Sequence, residues 1–319
     1  LDNATIGFVG CIAHHNDVGG AVPGSTAIDA REVFAEGLRI PPVKLVSKGV
    51  INEELLSLIL KNFRFPVEAR RDFQAQISAL QLGQSRLKSI GSKFGGCTLT
   101  EAMELLIYRS KRRIEGLLSE IPEGVYRATD VLDIHNDTTP AKIEVAVHVQ
   151  SGHMLVDFTG TSPQVARAVN MVMNATEASV YYVVSAIFEP HEPPTAGTFF
   201  PIEINAPHGS LVNASEPAPI GGRAQTCPRI VDLLLTALAG AVPHRVIANS
   251  NVGPALKIAG RDPTTNTPFI VSEVLGGGGG ARATKDGLDG SQMYITNTTN
   301  MPIEYLESQY PIRIESLRL

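Results

Sequence analysis

The chain is predicted to be an α+β protein, with mixed or antiparallel sheets, a helical hairpin and further packed helices. Three observations carry this reading. Helix-like and strand-like runs occur in blocks, without regular βαβ alternation. Two apolar stripes with three- or four-residue spacing run through residues 66–118. From Gly124 onward the apolar period shortens toward two.

In order along the chain, residues 4–13 read as a buried strand, because Ile6-Gly7-Phe8-Val9-Gly10-Cys11-Ile12 is apolar and β-rich. Pro41-Pro42 forbids a continuous helix over 31–50 and favours an extended path. Asn52 is placed to N-cap a helix with Leu55, Leu56, Ile59 and Leu60 on its apolar face. Pro66 suits the first turn of the next helix, whose stripe is Phe73, Ile77, Leu80, Gln84 and Leu87. Gly91, Gly95 and Gly96 are expected to break it. Thr98 with Glu101 then forms a capping-box pattern ahead of a second stripe, Leu99, Met103, Leu106, Ile107, Ile114, Leu117 and Leu118. Two adjacent helices across a Gly-rich joint predict the hairpin. Tyr126 to His135, Ile143 to Gln150 and His153 to Phe158 predict an antiparallel meander. Helices follow at Glu177 to Phe188 and Arg229 to Gly240, with strands near 200–206, 246–250, 269–275 and 291–296. Three regions result: 1–50, a metal-corner strand and loop continuing a domain begun upstream; 51–120, helical; and 121–319, α+β with Gly-rich loops.

Composition narrows the function classes. The 319 residues are 43% hydrophobic and 18% charged, which describes a globular chain. A net charge of −5 and 6% aromatic content argue against a nucleic-acid binder. Lys111-Arg112-Arg113 is expected on the solvated face of a helix. The longest apolar stretch, Ile230 to Val242, carries Asp232, Thr236 and Gly240 and is too short and polar to span a bilayer. Three scattered cysteines give no disulfide framework, so a cytoplasmic setting is the default. The five N-x-Ser/Thr matches, at Asn3, Asn136, Asn174, Asn213 and Asn297, are background without a signal peptide. The chain starts at Leu1 and stops at Arg318-Leu319, and is expected to be cut at both ends.

The run Ala13-His14-His15-Asn16-Asp17-Val18-Gly19-Gly20, followed by Pro23-Gly24-Ser25, concentrates the chemistry. Imidazole nitrogen and carboxylate oxygen suit zinc, manganese or iron. Neighbouring residues on an extended strand point to opposite faces, so His14 and His15 are expected to diverge, one toward a metal and one elsewhere. A polar surface run is the competing reading. The glycines permit positive φ and a close backbone approach.

Other motifs have plainer readings. Asp157-Phe158-Thr159-Gly160-Thr161-Ser162 resembles neither a complete aspartyl-phosphate motif nor a paired aspartic-protease motif, and reads as a strand ending in an Asp/Thr/Gly turn. Gly276 to Gly280, followed by Ala281-Arg282, is no P-loop. It is either an anion-binding nest with Arg282 adding charge or a flexible turn. Ile220-Gly221-Gly222-Arg223 has the same two readings. His135, His148 and His153 fall in the strand region, and no G-x-S-x-G elbow is present.

Ordered stretches along nearly the whole chain resemble the hydantoinase B/oxoprolinase family. They are A-H-H-N-D-V-G-G-x-x-P-G-S at 13–25, E-G-L-R-I-P-P-V-K-L at 36–45, D-F-x-A-Q at 72–76, D-F-T-G-T-S-P-Q at 157–164 and A-x-x-Y-Y at 178–182. P-I-E-I-x-A-P-x-G-S-L-V-N at 201–213, R-I-V-D at 229–232, G-G-G-G-G-A-R at 276–282 and Pro302-Ile303-Glu304 to Pro311 complete the set.

The resemblance implies a hydrolase of cyclic amides such as hydantoins, N-methylhydantoin or 5-oxoproline. An A-type partner subunit would bind ATP and phosphorylate the amide oxygen. The B component would use a divalent metal to complete hydrolysis, since a metal-bound water is a usable nucleophile near neutral pH. His14 is implied as the metal ligand, with His15 and Asp17 as catalytic groups beside it. Gly277, Gly278, Arg282 and Arg223 are expected to bind the substrate or an anionic intermediate. The family's upstream Asn-Asp-Pro and Gly-Gly-Thr-His-x-x-Asp motifs, which carry other ligands, do not occur in this chain, so the site is expected to need an N-terminal segment besides the A-type subunit. At 222–228 the family's G-N-x-x-T-S-Q is replaced by Gly-Arg-Ala-Gln-Thr-Cys-Pro. A non-catalytic scaffold in an oligomer, or a subunit of an acetone- or acetophenone-carboxylase-like enzyme, are the alternatives. Neither a nucleic acid nor a membrane is expected as a partner.

Overall fold

The computed structural model describes residues 5–134, 139–251, 255–296, 298–299 and 301–316. His135, Asn3, Asn136, Asn297 and the final Arg318-Leu319 lie outside the described residues. The protein is α+β.

Residues 5–13 correct the first expectation. They form no strand and are largely exposed, with Phe8 and Ile12 each 95% exposed. A strand needs a neighbour for its backbone groups, and among the described residues this segment pairs with no strand and runs along the helix that carries Ile77, Leu80 and Gln84. There Val9 lies against Gly83, and the Cys11 thiol faces the Gln76 carbonyl.

A 3-10 turn at Val33–Glu36 and a two-residue hairpin, β1 (Val46–Ser47) with β2 (Val50–Ile51), lead into α1 (Glu53–Lys61). The Asn52 side chain accepts from Leu55 N at 3.0 Å, as the N-cap reading requires. Leu56, Ile59 and Leu60 are buried on the expected face and join Phe63 and Ala69 in a small core that Val18 and Leu38 also cover.

The long helices are α2 (Pro66–Phe94) and α3 (Gly96–Ser119), separated by Gly95 alone at φ +88. Gly91 lies inside α2 and does not end it. The capping box at Thr98 does not form either. α3 starts two residues earlier, and the neighbouring Thr100 hydroxyl donates back to the Gly96 and Cys97 carbonyls. A single residue in the left-handed region turns the chain sharply and leaves no room for an extended N-cap. The α2 stripe is half-buried, whereas α3 sinks Ile114 and Leu118 into the main core. Its basic cluster is paired: Lys111 and Arg112 with Glu115 near the surface, and Arg113 with the buried carboxylate of Glu189.

The meander forms as predicted. β3 (Gly124–Leu132), β4 (Ala141–Gln150) and β5 (His153–Asp157) are antiparallel, and β6 (Ile202–Asn205) adds in parallel to β5. Ile143, Val145, Val147 and Val149 alternate inward along β4. They meet α4 (Met173–Phe188) and α6 (Arg223–Leu238), while the one-turn α5 (Ala196–Phe199) packs on α3. α6 begins at Arg223 and not at Arg229. Pro228 lies within its second turn, and the burial of Thr226, Cys227 and Ile230 around it outweighs the lost backbone bond.

The expected strands at 246–250 and 291–296 are absent; a lone bridge joins Ile247 to Arg282. The hairpin β7 (Ala255–Arg261) with β8 (Pro268–Val274) stands instead, and β7 was not anticipated. Exposed along its whole length, it lacks the inward apolar face that marks a strand in sequence. The short α7 (Ile303–Gln309) follows.

Candidate functional site

The His-His-x-Asp run separates its side chains. His14 is exposed, His15 is half-buried against α2, and the Asp17 carboxylate is fully buried.

Asp17 holds the Gly turn together. Its Oδ1 accepts from Gly19 N at 2.9 Å, its Oδ2 accepts from Gly24 N at 2.8 Å, and Arg64 Nη1 reaches Oδ2 at 3.1 Å. The same guanidinium donates to the carbonyls of Gly19, Val22 and Gly20. Gly19 and Gly20 adopt φ +88 and +82, and a Cβ on Gly19 would lie 2.6 Å from the Asn62 carbonyl oxygen. These glycines serve the positive φ and close approach that the sequence suggested. The expectation of Asp17 as a catalytic group meets a carboxylate whose two oxygens are already committed to this turn.

His15 heads a cleft of about 510 Å³, bounded by the start of α2, the β7–β8 turn and α7 with the residues after it. Its ring packs against Phe63 and Phe73, which also touch each other, with centroids 5.9 and 5.0 Å away. Nδ1 is 3.3 Å from Asp72 Oδ2, and Nε2 is 3.4 Å from Gln76 Nε2. With the Gln76 amide nitrogen as donor, Nε2 accepts, and the proton of the neutral ring sits on Nδ1 facing Asp72. Asp72 lies off the line of that N–H, so Nδ1 is enclosed without a well-directed hydrogen bond. Across the cleft stand Asp262, Tyr305 and Tyr310. Backbone N–H groups of Thr265 and Thr264 hold the Asp262 carboxyl below its ordinary range, and burial pushes the Tyr310 hydroxyl up. Lys257 of β7 ties this wall to the Gly turn through the Gly24 carbonyl and Thr26 Oγ1.

Asp72 and Gln76 were not singled out as site residues. Their signal was available: they are four apart, on one face of a helix, inside the matched stretch 72–76.

The glycine run at 276–280 does not form an open anion nest. The N–H groups of Gly278, Gly279 and Gly280 already donate to Ser291 O, Leu288 O and Ser250 Oγ, and a Cβ on Gly277 would meet the Asn251 carbonyl oxygen at 2.7 Å. The glycines allow chain segments to pack backbone on backbone. Arg282 is exposed and lines a different cavity from His15. Near Arg223, the N–H groups of Ile220 and Gly221 are taken up by the Glu36 carboxylate at 2.6–3.0 Å. That nest exists, with an internal anion in it. The Asp157 motif is the expected turn: Oδ1 accepts from Thr159 N and Thr159 Oγ1.

Among the described residues no three His, Cys, Asp or Glu side chains come together as a metal site. His14 is exposed with no partner among the described residues, Asp17 is engaged with Arg64, and His15 pairs with Asp72. This donor set falls short of the three protein ligands of an ordinary catalytic centre. No helix among the described residues is long and apolar enough to cross a membrane.

The family described as Hydantoinase B/oxoprolinase matches residues 1–319. A B-type subunit named "Putative D-/L-hydantoinase" from Pseudomonas sp. (strain NS671) is 35% identical over 98% of this chain and 55% of its own length. The 5-oxoprolinase 1 of Arabidopsis thaliana is 30% identical, covering 98% of this chain and 26% of that one. The crystal structure of the ATP-dependent caprolactamase from Pseudomonas jessenii superposes with a TM-score of 0.89 at 29% identity, over 95% of this chain and 54% of that one. The chain thus spans about half the length, or less, of these relatives.

Proposed function

Because the chain belongs to the hydantoinase B/oxoprolinase family, we propose that it is part of the B-type component of an ATP-dependent cyclic-amide hydrolase, opening a hydantoin-like or 5-oxoproline-like ring. An A-type partner phosphorylates the amide oxygen, which turns a poor electrophile into a good one. In the His15 cleft, water then attacks the activated carbon, and His15 takes its proton at Nε2 once the substrate has displaced the Gln76 amide. The tetrahedral carbon collapses by breaking the ring C–N bond as His15 returns that proton to the departing nitrogen, and a second water cleaves the resulting acyl phosphate to carboxylate and inorganic phosphate. Asp72 holds the Nδ1 tautomer and stabilises the imidazolium that results. The tyrosines and Phe269 of the opposite wall exclude bulk water from the ring.

His14 would supply one imidazole ligand to a divalent metal, zinc, manganese or iron, and such a metal would make a bound water acidic enough to serve as nucleophile near neutral pH.

The observation that carries this reading is the pairing of half-buried His15 with Asp72 at the head of an open cleft. The test uses the full-length protein with its A-type partner. ATP-dependent ring opening of hydantoin, 5-oxoproline or caprolactam is expected, lost in His15→Gln. Metal content is expected to fall in His14→Ala. Unchanged turnover in His15→Gln overturns the role of the cleft, and unchanged metal stoichiometry and activity in His14→Ala overturn the ligand assignment.

A further inference from the structure

A second cavity, of about 680 Å³, shares no lining residue with the His15 cleft. It opens between the end of α4, the segment 244–247 and Arg282. Its lining includes His191, His244, Arg245 and Arg282, and no aspartate or glutamate. In a chain of net charge −5, that is a local reversal of sign.

The cations are held there by the fold, and carboxylates neutralise them only weakly among the described residues. Arg282 is paired through its backbone to Ile247 and Lys285, which fixes where its side chain starts. Its guanidinium has no hydrogen-bond or ion-pair partner among the described residues. Arg245 has a single carboxylate neighbour, Glu120, at 4.0 Å, the limit of an ion pair. Two guanidiniums lining one cavity repel one another, and an anion between them removes that penalty.

The rest of the wall is apolar and rigid. Tyr182 and Tyr294 meet edge to face, with centroids 6.3 Å apart, and Leu235 and Phe188 are buried beside them. Tyr294 sits at φ +58, and its hydroxyl is bound between Asp232 Oδ1 and Ser250 N, so its ring is locked in place.

We propose that this cavity is a second ligand site, for a small organic anion with an apolar body. The carboxylate would lie at Arg245 and Arg282, in the planar geometry that guanidinium forks favour, and the hydrocarbon against the tyrosine wall. This inference does not depend on the hydrolase reading.

Isothermal titration of the full-length protein with 3-phenylpropionate, 3-phenylpropan-1-ol and inorganic phosphate tests it. The acid is expected to bind saturably at one site, with the neutral alcohol and phosphate each weaker by roughly tenfold or more. The exposed pair Arg245→Gln/Arg282→Gln should weaken the acid by a similar factor, and Ala186→Phe should block it by filling the cavity. His15→Gln should leave it unchanged, which separates this site from the cleft. The proposal is overturned if no probe binds saturably, if the alcohol or phosphate matches the acid, or if the Arg245→Gln/Arg282→Gln protein, with an unaltered melting temperature, binds as the parent does.

Discussion

His15 Nδ1 stands 3.3 Å from Asp72 Oδ2, across the junction between an irregular Gly-rich segment and the second turn of α2. The helix fixes the carboxylate, Phe63 and Phe73 fix the ring, and only Nε2, beside Gln76, is left to exchange partners.

Asp72 is therefore a positioning residue for His15. In the complete enzyme, Asp72→Asn should lower kcat by about 10²-fold with KM little changed, because general-base efficiency depends on the correct tautomer. Steady-state kinetics on the cyclic amide measure this. A rise in KM with kcat preserved would mean that Asp72 binds substrate instead.

Asp17 should behave as a structural residue. Asp17→Ala leaves two turn N–H groups without their acceptor, while Arg64, one-third exposed, keeps its carbonyl acceptors; unsatisfied buried groups of this kind cost about 1–3 kcal/mol. Denaturant titration reads the loss. Arg64→Ala should be non-additive with it, since both act on the same turn.

Gly280→Ala tests the closed form of the glycine run. A Cβ there would collide with the Ala248 carbonyl oxygen, so a loss of about 1–3 kcal/mol is expected, as for overpacking in a core. An unchanged melting temperature would show that the run is loosely held.

Acid stability should depend on Asp157. Burial raises its carboxyl, but hydrogen bonds from Thr159 and Asn205 outweigh burial and hold it below the ordinary range. A depressed carboxylate adds stability that is present above its unfolded pKa and is lost as pH falls through the folded value. The difference in urea midpoint between the wild type and Asp157→Ala should thus be largest near pH 7 and shrink as pH drops through the carboxylate range.

Local patterning alone determined a good deal of this protein. The Asn52 cap and the α1 face, Pro66 at the head of α2, the three-stranded meander and the Asp157 turn all rest on interactions within a few residues or on strict periodicity, and such signals are written in contiguous sequence. The 13–20 run also located the candidate cleft, because unlike polar groups beside glycines are rare in an apolar stretch. Tertiary structure decided which of those groups are available. Asp17 is withdrawn by Arg64, 47 residues away, His15 is oriented by Asp72, and the N–H groups of Gly278 to Gly280 are taken by Ser250, Leu288 and Ser291. Tertiary structure also left residues 5–13 without a strand partner and carried Arg282 to a separate cavity. A carboxylate or an N–H group has the same identity in sequence whether it is free or occupied. Its availability depends on what the chain brings within about 3 Å of it, and those partners lie far off along the sequence.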